Sequence, residues 1–318
     1  MQKIKINAFT LIELLVVIAI IGILSALIVI GMSSTTQKAS VAKAQVFANS
    51  LRNSLLADMV SEWKLDDGTG NSTTKDSWAS AFANTGTLGT AAVGDASEPT
   101  WLSTGCVSGN CLSFDGADDY VDFGNNASLS MGTKDHTVSL WVKFDNATAP
   151  APNNAETLAR CGVQAAGVGR DGYWIYRTGS SLFFYFSDGS ADSIGGSLSG
   201  SGTLIANTWY NIVVALDRDI SAYMYINGVK QTGYSLNIVP QNGDVQNTSL
   251  LMIGATSAGY GRLDGQMDEV RIFHAITTIS QIEQNYFAGL NKLLANRGVE
   301  TSEYEQRVAN LTSNYAKN

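Results

Sequence analysis

Charge is scarce in this chain. Only 15% of its 318 residues are Asp, Glu, Lys or Arg, where globular chains average about a quarter. The basic residues are the fewer, 20 against 28 acidic, and the formal net charge is -8. No basic stripe exists to meet phosphates, which excludes nucleic acid as a partner class. Three cysteines are too few for a disulfide-dense scaffold. The two histidines, His136 and His274, lie far apart in sequence without a Ser or Cys partner context, so they offer no nucleophile system. Internal repeats and long low-complexity tracts are not evident. What is plentiful is apolar residues (45%) and glycine (31 against 4 prolines), with much Ser, Thr and Asn. That composition suits a β-rich, extracytoplasmic surface, and the length suits one sizeable domain with appendages or two domains.

Cys106 and Cys111 sit in CVSGNC. They read as a local disulfide, because a Gly-containing loop can turn back on itself and an exported chain meets oxidants. A zinc site would need two further ligands, and neither histidine is close in sequence. Cys161 reads as a buried thiol outside that pair.

The strongest signal is at the N-terminus. From Phe9 to Ile30 runs FTLIELLVVIAIIGILSALIVI, 22 residues with one charge. At about 1.5 Å per residue it spans a hydrocarbon core of about 30 Å. The leader before it, MQKIKINA, carries Lys3 and Lys5, which should stay cytoplasmic. A secretory signal peptide would have a shorter apolar core and a small-residue cleavage site after it. Here Gly31 to Gln37 is polar and helical spacing then resumes, so the span stays with the protein. Glu13 is the exception within it. A carboxylate inside an apolar span costs about a few kcal/mol and is by default functional, the alternative being a side chain that snorkels to the headgroups.

The stretch FTLIELLVVIAIIGIL resembles the N-terminal cleavage and methylation motif of type IV pilins and type II secretion pseudopilins. The resemblance implies that a prepilin peptidase cuts between Ala8 and Phe9 and methylates the new amino terminus. It also implies that Glu13 pairs with the N-terminal ammonium of a neighbouring subunit in a filament. Two departures stand out: Ala8 replaces the family's usual Gly, and Ile30 stands where many pilins have Pro. Beyond the span, Val41, Ala44, Phe47, Ala48, Leu51 and Leu55 recur at three and four residues, which marks an amphipathic continuation. One pilin-type helix is expected over 9–58, with 9–30 in the membrane and 1–8 as leader.

From Val60 the period changes. Turn chemistry at Asp66–Asn71 gives way to short runs rich in Val, Ile, Tyr, Phe and Trp: CLSFDG, DYVDFG, HTVSLWVKFD, GYWIYRT, SLFFYFSDG, TWYNIVVALD, SAYMYING, SLLMIG and MDEVRIF. Nine or more strands without intervening helices predict an antiparallel sandwich. Asn227-Gly228 marks a hairpin turn. This body resembles the laminin G-like jelly roll of the concanavalin A-like lectin/glucanase superfamily, through WKLDDGTG, LSFDGADDYVDFG, VSLWVKF, TWYNIVVALD, YINGV and GQMDEVRIF. The boundaries expected are 60–279. Then Ser280 with Glu283 and Ser302 with Glu305 read as capping boxes of a C-terminal helical hairpin over 280–318. The fold class is α+β.

Glucanase relatives use paired carboxylates on one strand, at alternating positions. The candidates are Asp118, Asp119 and Asp122, which sit in a turn, or Asp264, Asp268 and Glu269. Of the latter only Asp268 and Glu269 lie on a predicted strand with apolar neighbours; these two are adjacent and should point to opposite faces. A catalytic role is therefore not expected. Asp66, Asp76 and Asp268 read either as oxygen ligands for a structural calcium or as solvated turn carboxylates. Trp174, Tyr176 and Tyr185 share strand faces and read either as core or as a surface for stacking sugars, while Trp63, Trp141 and Trp209 read as core. The function expected is a pilin-like structural subunit that displays an adhesion or carbohydrate- or protein-binding module. The alternatives are a secretion pseudopilin without a glycan ligand and a surface-tethered glycan hydrolase. The partners implied are the prepilin peptidase, other pilin-like subunits and the inner membrane, with leader inside and body outside.

Overall fold

The computed structural model describes residues 58–78, 84–90, 94–149, 155–162, 171–190, 194–199, 204–232, 236–239, 241–245, 250–256 and 260–315, together with 11–12, 14–16, 18 and 20. The chain divides into two compact units, 1–47 and 48–318. In the first, Leu11, Ile12, Leu14, Leu15, Val16, Ile18 and Ile20 are helical. Ala8, Phe9 and Glu13, and most of the helix expected over 9–58, lie outside the described residues. Among the described residues no helix is long and apolar enough to cross a membrane.

The described residues of the second unit form a two-sheet antiparallel sandwich with two α-helices. Its strands are β1 (Met59–Trp63), β2 (Thr73–Thr74), β3 (Gly86–Leu88), β4 (Thr100–Leu102), β5 (Cys111–Asp115) and β6 (Val121–Asp122). Next come β7 (His136–Phe144), β8 (Ala155–Gly162), β9 (Asp171–Thr178), β10 (Ser181–Asp188), β11 (Ile194–Ser197) and β12 (Trp209–Leu216). The last are β13 (Ser221–Ile226), β14 (Val229–Lys230), β15 (Leu236–Asn237), β16 (Leu251–Ile253) and β17 (Asp264–Phe273). One sheet runs β14-β13-β12-β7-β17-β5-β4, with β1 also on β17 and β15 also on β13. The other runs β11-β10-β9-β8-β16-β6-β3-β2.

All nine apolar runs of the sequence are strands. β8 is not among them, because its Glu156 and Arg160 and a register shift between Thr157 and Ala159 break the period-two pattern. Alternation sets the core elsewhere. On β9, Tyr173 and Ile175 point inward, and on β10 Phe184 and Phe186 do; they meet Val138, Leu140, Val142 and Phe144 of β7. The hairpin turn forms at Asn227-Gly228, both with positive φ (53° and 78°), between β13 and β14.

β12, WYNIVVAL, is buried at every position. A strand reads as continuously apolar when both its faces are covered. Ile212 and Val214 face the sandwich core. Trp209 instead joins Trp141, Tyr286, Leu290 and Leu293 under helix α1 (Ile279–Ala295), and Val213 and Ala215 pack on Ile282. So Trp141 and Trp209 are buried outside the sandwich core, in a second layer made by α1 and α2 (Thr301–Tyr315).

The first helix starts earlier than the Ser280–Glu283 reading. The capping box is Thr278 with Gln281: the Thr278 hydroxyl accepts from Gln281 N at 3.3 Å, and Gln281 Oε1 accepts from Thr278 N at 2.9 Å. The same spacing of a hydroxyl and a Glu/Gln occurs twice in TTISQIE, and the pair nearer the strand captures the chain. Likewise α2 begins at Thr301, which places Ser302 inside the helix.

Candidate functional site

The helical layer covers the outward face of the nine-stranded sheet at Trp141, Trp209, Val213 and Ala215. A buried charge network lies under the same layer. Asp268 pairs with Trp141 on β7, and the register shifts between Asp268 and Arg271, with Glu269 at φ 52°. This bulge breaks the alternation expected of adjacent residues. It turns both carboxylates toward the helix-covered side: Glu269 meets Arg271 and takes Lys292 of α1 at 2.8 Å, and Asp268 Oδ2 accepts from Ser108 N at 3.0 Å. Burial drives the Asp268 carboxyl well above the usual range, and the adjacent Glu269 adds to it. Burial works against Glu269 too, yet Arg271 and Lys292 hold it below its ordinary value. Both carboxylates of the pair are buried.

Cys106 and Cys111 are joined, with Cα atoms 5.5 Å apart. Asp66 organises the same loop, Oδ1 accepting from Asn110 N at 2.8 Å. Asp76 is engaged elsewhere, accepting from Glu62 N at 3.1 Å and Trp78 N at 2.9 Å. Asp66, Asp76 and Asp268 thus each accept a hydrogen bond from a backbone N–H. Among the described residues the acidic group compact enough for one ion is Asp115, Asp118 and Asp119, whose ligand atoms lie within 4.8 Å of one another. Cys161 is buried on β8. The two histidines, distant in sequence, come together with ring centroids 5.4 Å apart, His136 buried and His274 half-buried.

The outward face of the eight-stranded sheet is different. Trp174, Tyr176, Phe183 and Tyr185 alternate with the core residues of β9 and β10 and are half-buried. Trp174 stacks on Tyr176 (4.0 Å between centroids, 22°) and Tyr176 on Phe183 (5.4 Å, 24°). The Arg160 guanidinium lies 5.5 Å above the Trp174 ring, whose Nε1 donates to Thr157 Oγ1 at 3.1 Å. Burial raises the Tyr176 phenol.

Residues directly opposite in a ladder share a face. Pairing therefore sets Gly195, Tyr185, Trp174, Arg160, Met252, Asp122 and Thr87 in one outward row from β11 to β3. A pocket of about 330 Å³ opens along that row, and Met252 and Asp122 belong to its lining. Asp118 and Tyr120 join them there, with Arg262 from the approach to β17. Alternation in DDYVD hints at the shared side of Asp118, Tyr120 and Asp122; Thr256 and Arg262 carry no local signal and are added by the fold.

Residues 115–283 match the model of the Concanavalin A-like lectin/glucanases superfamily, just over half of the chain. The chain belongs to that superfamily. Residues 4–29 match the prokaryotic N-terminal methylation motif, so a lectin/glucanase-type sandwich and a pilin-type N-terminus occur in one polypeptide. No curated protein matches the chain at a significant level. Among solved structures, similar ones include the botulinum neurotoxin serotype D ligand binding domain in complex with N-acetylneuraminic acid (TM-score 0.56, 14% identity, 76% of this chain and 53% of that one). Another is the binding domain of Paraclostridial Mosquitocidal Protein 1 (TM-score 0.55, 15% identity, 74% and 53%). A third is Trypanosoma rangeli sialidase in complex with the inhibitor DANA (TM-score 0.51, 13% identity, 71% and 32%). This chain spans about half the length of the two binding domains and about a third of the sialidase. At these identities the likeness is one of fold.

Proposed function

We propose that this protein is a pilin-like structural subunit that displays its lectin/glucanase-type sandwich outside the cell as a carbohydrate-binding module, and that it is not an enzyme. The observation that carries the reading is the pairing of two features. The methylation motif implies processing by a prepilin peptidase and assembly with other pilin subunits. The sandwich packs helices on one sheet and leaves on the other an aromatic set, Trp174, Tyr176, Phe183 and Tyr185, beside a polar pocket. Rings with an apolar body and a polar rim suit the C–H faces and hydroxyls of sugars. In this reading Phe9 becomes the methylated first residue of the mature subunit, cut after Ala8. Glu13 sets the register between subunits by pairing with the neighbour's ammonium, since neither charge is tolerable alone in an apolar helical core. The anchor lies in the inner membrane before assembly.

The carboxylate pair best placed by sequence for glycoside chemistry, Asp268 and Glu269, is locked to Ser108, Arg271 and Lys292 under α1, which supports binding over hydrolysis. The test is a glycan array probed with the full-length protein in detergent micelles. Retention on a subset of glycans, weakened by Tyr176→Ala, is the expected outcome. Silence across a broad array, or turnover of a bound glycan, contradicts the reading.

A further inference from the structure

The pocket at the β6–β16 end of the open face has a lining that the aromatic set lacks. Two carboxylates, Asp118 and Asp122, stand beside one guanidinium, Arg262, with the hydroxyls of Thr90, Ser97 and Thr256 around them. Leu250, Met252 and Ala255 supply the apolar part. Asp122 Oδ1 accepts from Gly124 N at 2.7 Å, which fixes the carboxylate and leaves its second oxygen for another donor. Fixed carboxylates and a guanidinium form directional, charge-assisted hydrogen bonds. A mixed lining of this kind, with donors and acceptors close together over an apolar floor, matches a ring that carries hydroxyls on its rim. Pockets near 300 Å³ are at the small end for ligand sites, about right for one ring and too small for a long chain.

The local charge narrows the class. Asp118 and Asp122 outnumber Arg262, and further carboxylates stand close behind. Asp95 is held by Thr90 and Ser97, which themselves line the pocket. Asp115 and Asp119 lie within 4.8 Å of Asp118. A carboxylated sugar entering here would meet like charge at short range, which disfavours it.

The row geometry extends the site. Tyr185, Trp174, Arg160, Met252 and Asp122 occupy five successive strands. At a strand spacing of about 4.8 Å they cover about 19 Å, longer than a single sugar ring.

We propose that the pocket lined by Asp118, Asp122 and Arg262 holds one uncharged sugar ring of an oligosaccharide that lies across the strands, with the rest of the ligand over Trp174 and Tyr176, and that it rejects acidic sugars. This rests on the carbohydrate-binding reading above and specifies its ligand class.

The experiment measures binding of the full-length protein in detergent micelles to two sets of immobilised oligosaccharides: neutral (hexose and N-acetylhexosamine) and acidic (sialylated and uronic acid). The variants are Arg262→Gln, Asp118→Asn with Asp122→Asn, and Tyr176→Ala. Asp118, Asp122 and Arg262 are not in the core, so these variants fold, which thermal melting checks. The expected result is retention of neutral glycans, weakened at least tenfold by Arg262→Gln. The Asp118→Asn/Asp122→Asn double variant should also lose selectivity and begin to retain acidic glycans. Three results overturn the proposal: a wild-type preference for acidic glycans, neutral binding that Tyr176→Ala weakens while the pocket variants do not, or a preference for single sugars over oligosaccharides. Those three leave the carbohydrate-binding reading standing. No glycan retention by the wild type overturns both.

Discussion

Asp268 accepts a hydrogen bond from the backbone N–H of Ser108, 3.0 Å away and 160 residues earlier in the chain. The contact joins β17 to the disulfide loop, and that loop in turn meets the helical layer. Gly105 O accepts from Trp209 Nε1 at 2.8 Å, and Val107 O from Asn296 Nδ2 at 3.2 Å at the end of α1. One short loop therefore holds sheet and helices together.

The first prediction concerns the charge on Asp268. Its folded carboxyl lies above the ordinary 3.8 because burial and Glu269 both disfavour ionisation. A group with a raised folded pKa binds its proton more tightly in the native state, so its contribution to stability falls as pH rises above the unfolded value. Asp268→Asn keeps an acceptor for Ser108 N and removes that loss. The melting temperature of the variant should equal the wild type's near pH 4 and exceed it at pH 7 to 8. Equal melting at every pH would show that Asp268 titrates normally.

The second concerns the disulfide. Cross-linking a six-residue loop stabilises by about 2 kcal/mol in the chain-entropy account. Cys106→Ser with Cys111→Ser should lower stability by about that amount, and hydrogen exchange in α1 should rise with it, since Asn296 and Trp209 lose their partners' fixed positions. Unchanged exchange in the helix would separate the loop from the helical layer.

The third concerns Gly289. Gly→Ala in a helix ordinarily stabilises by about 1 kcal/mol. Here a Cβ would stand 2.5 Å from Cζ2 of Trp141, and overpacking costs about 1–3 kcal/mol. Gly289→Ala should therefore destabilise, as read by denaturant unfolding. A stabilised variant would mean α1 is free to lift from the sheet.

The fourth concerns Glu156 and Arg177, an ion pair buried between the sheets, with Arg177 also over the Phe144 ring at 4.0 Å. Burial raises Glu156 to about 7 even with Arg177 beside it. Arg177→Met alone leaves a buried carboxyl without its partner and should cost about 3–5 kcal/mol, whereas Arg177→Met with Glu156→Gln should recover much of the loss. A double-mutant cycle on unfolding free energies reads the coupling.

The parts legible in the sequence were those encoded locally. The span Phe9–Ile30 and its motif are contiguous, and the nine apolar runs carry the two-residue period of strands. β8 was hidden because its inward-facing Glu156 is paired with a residue that only the fold supplies. The bulge at Glu269 is a backbone event that leaves no trace in MDEVRIF, where strand alternation alone puts the two carboxylates on opposite faces. The face of Trp174, Tyr176 and Tyr185 follows from alternation; which face stays open depends on where the C-terminal helices dock. The pocket draws Thr90, Asp122 and Arg262 from three distant segments, and no local pattern announces such a meeting.

The most direct test is mass spectrometry of the N-terminus in filaments sheared from the cell surface. Mature chains should begin at N-methylated Phe9. Intact Met1 in every fraction would contradict it, leaving a membrane-anchored sandwich that is never processed as a pilin.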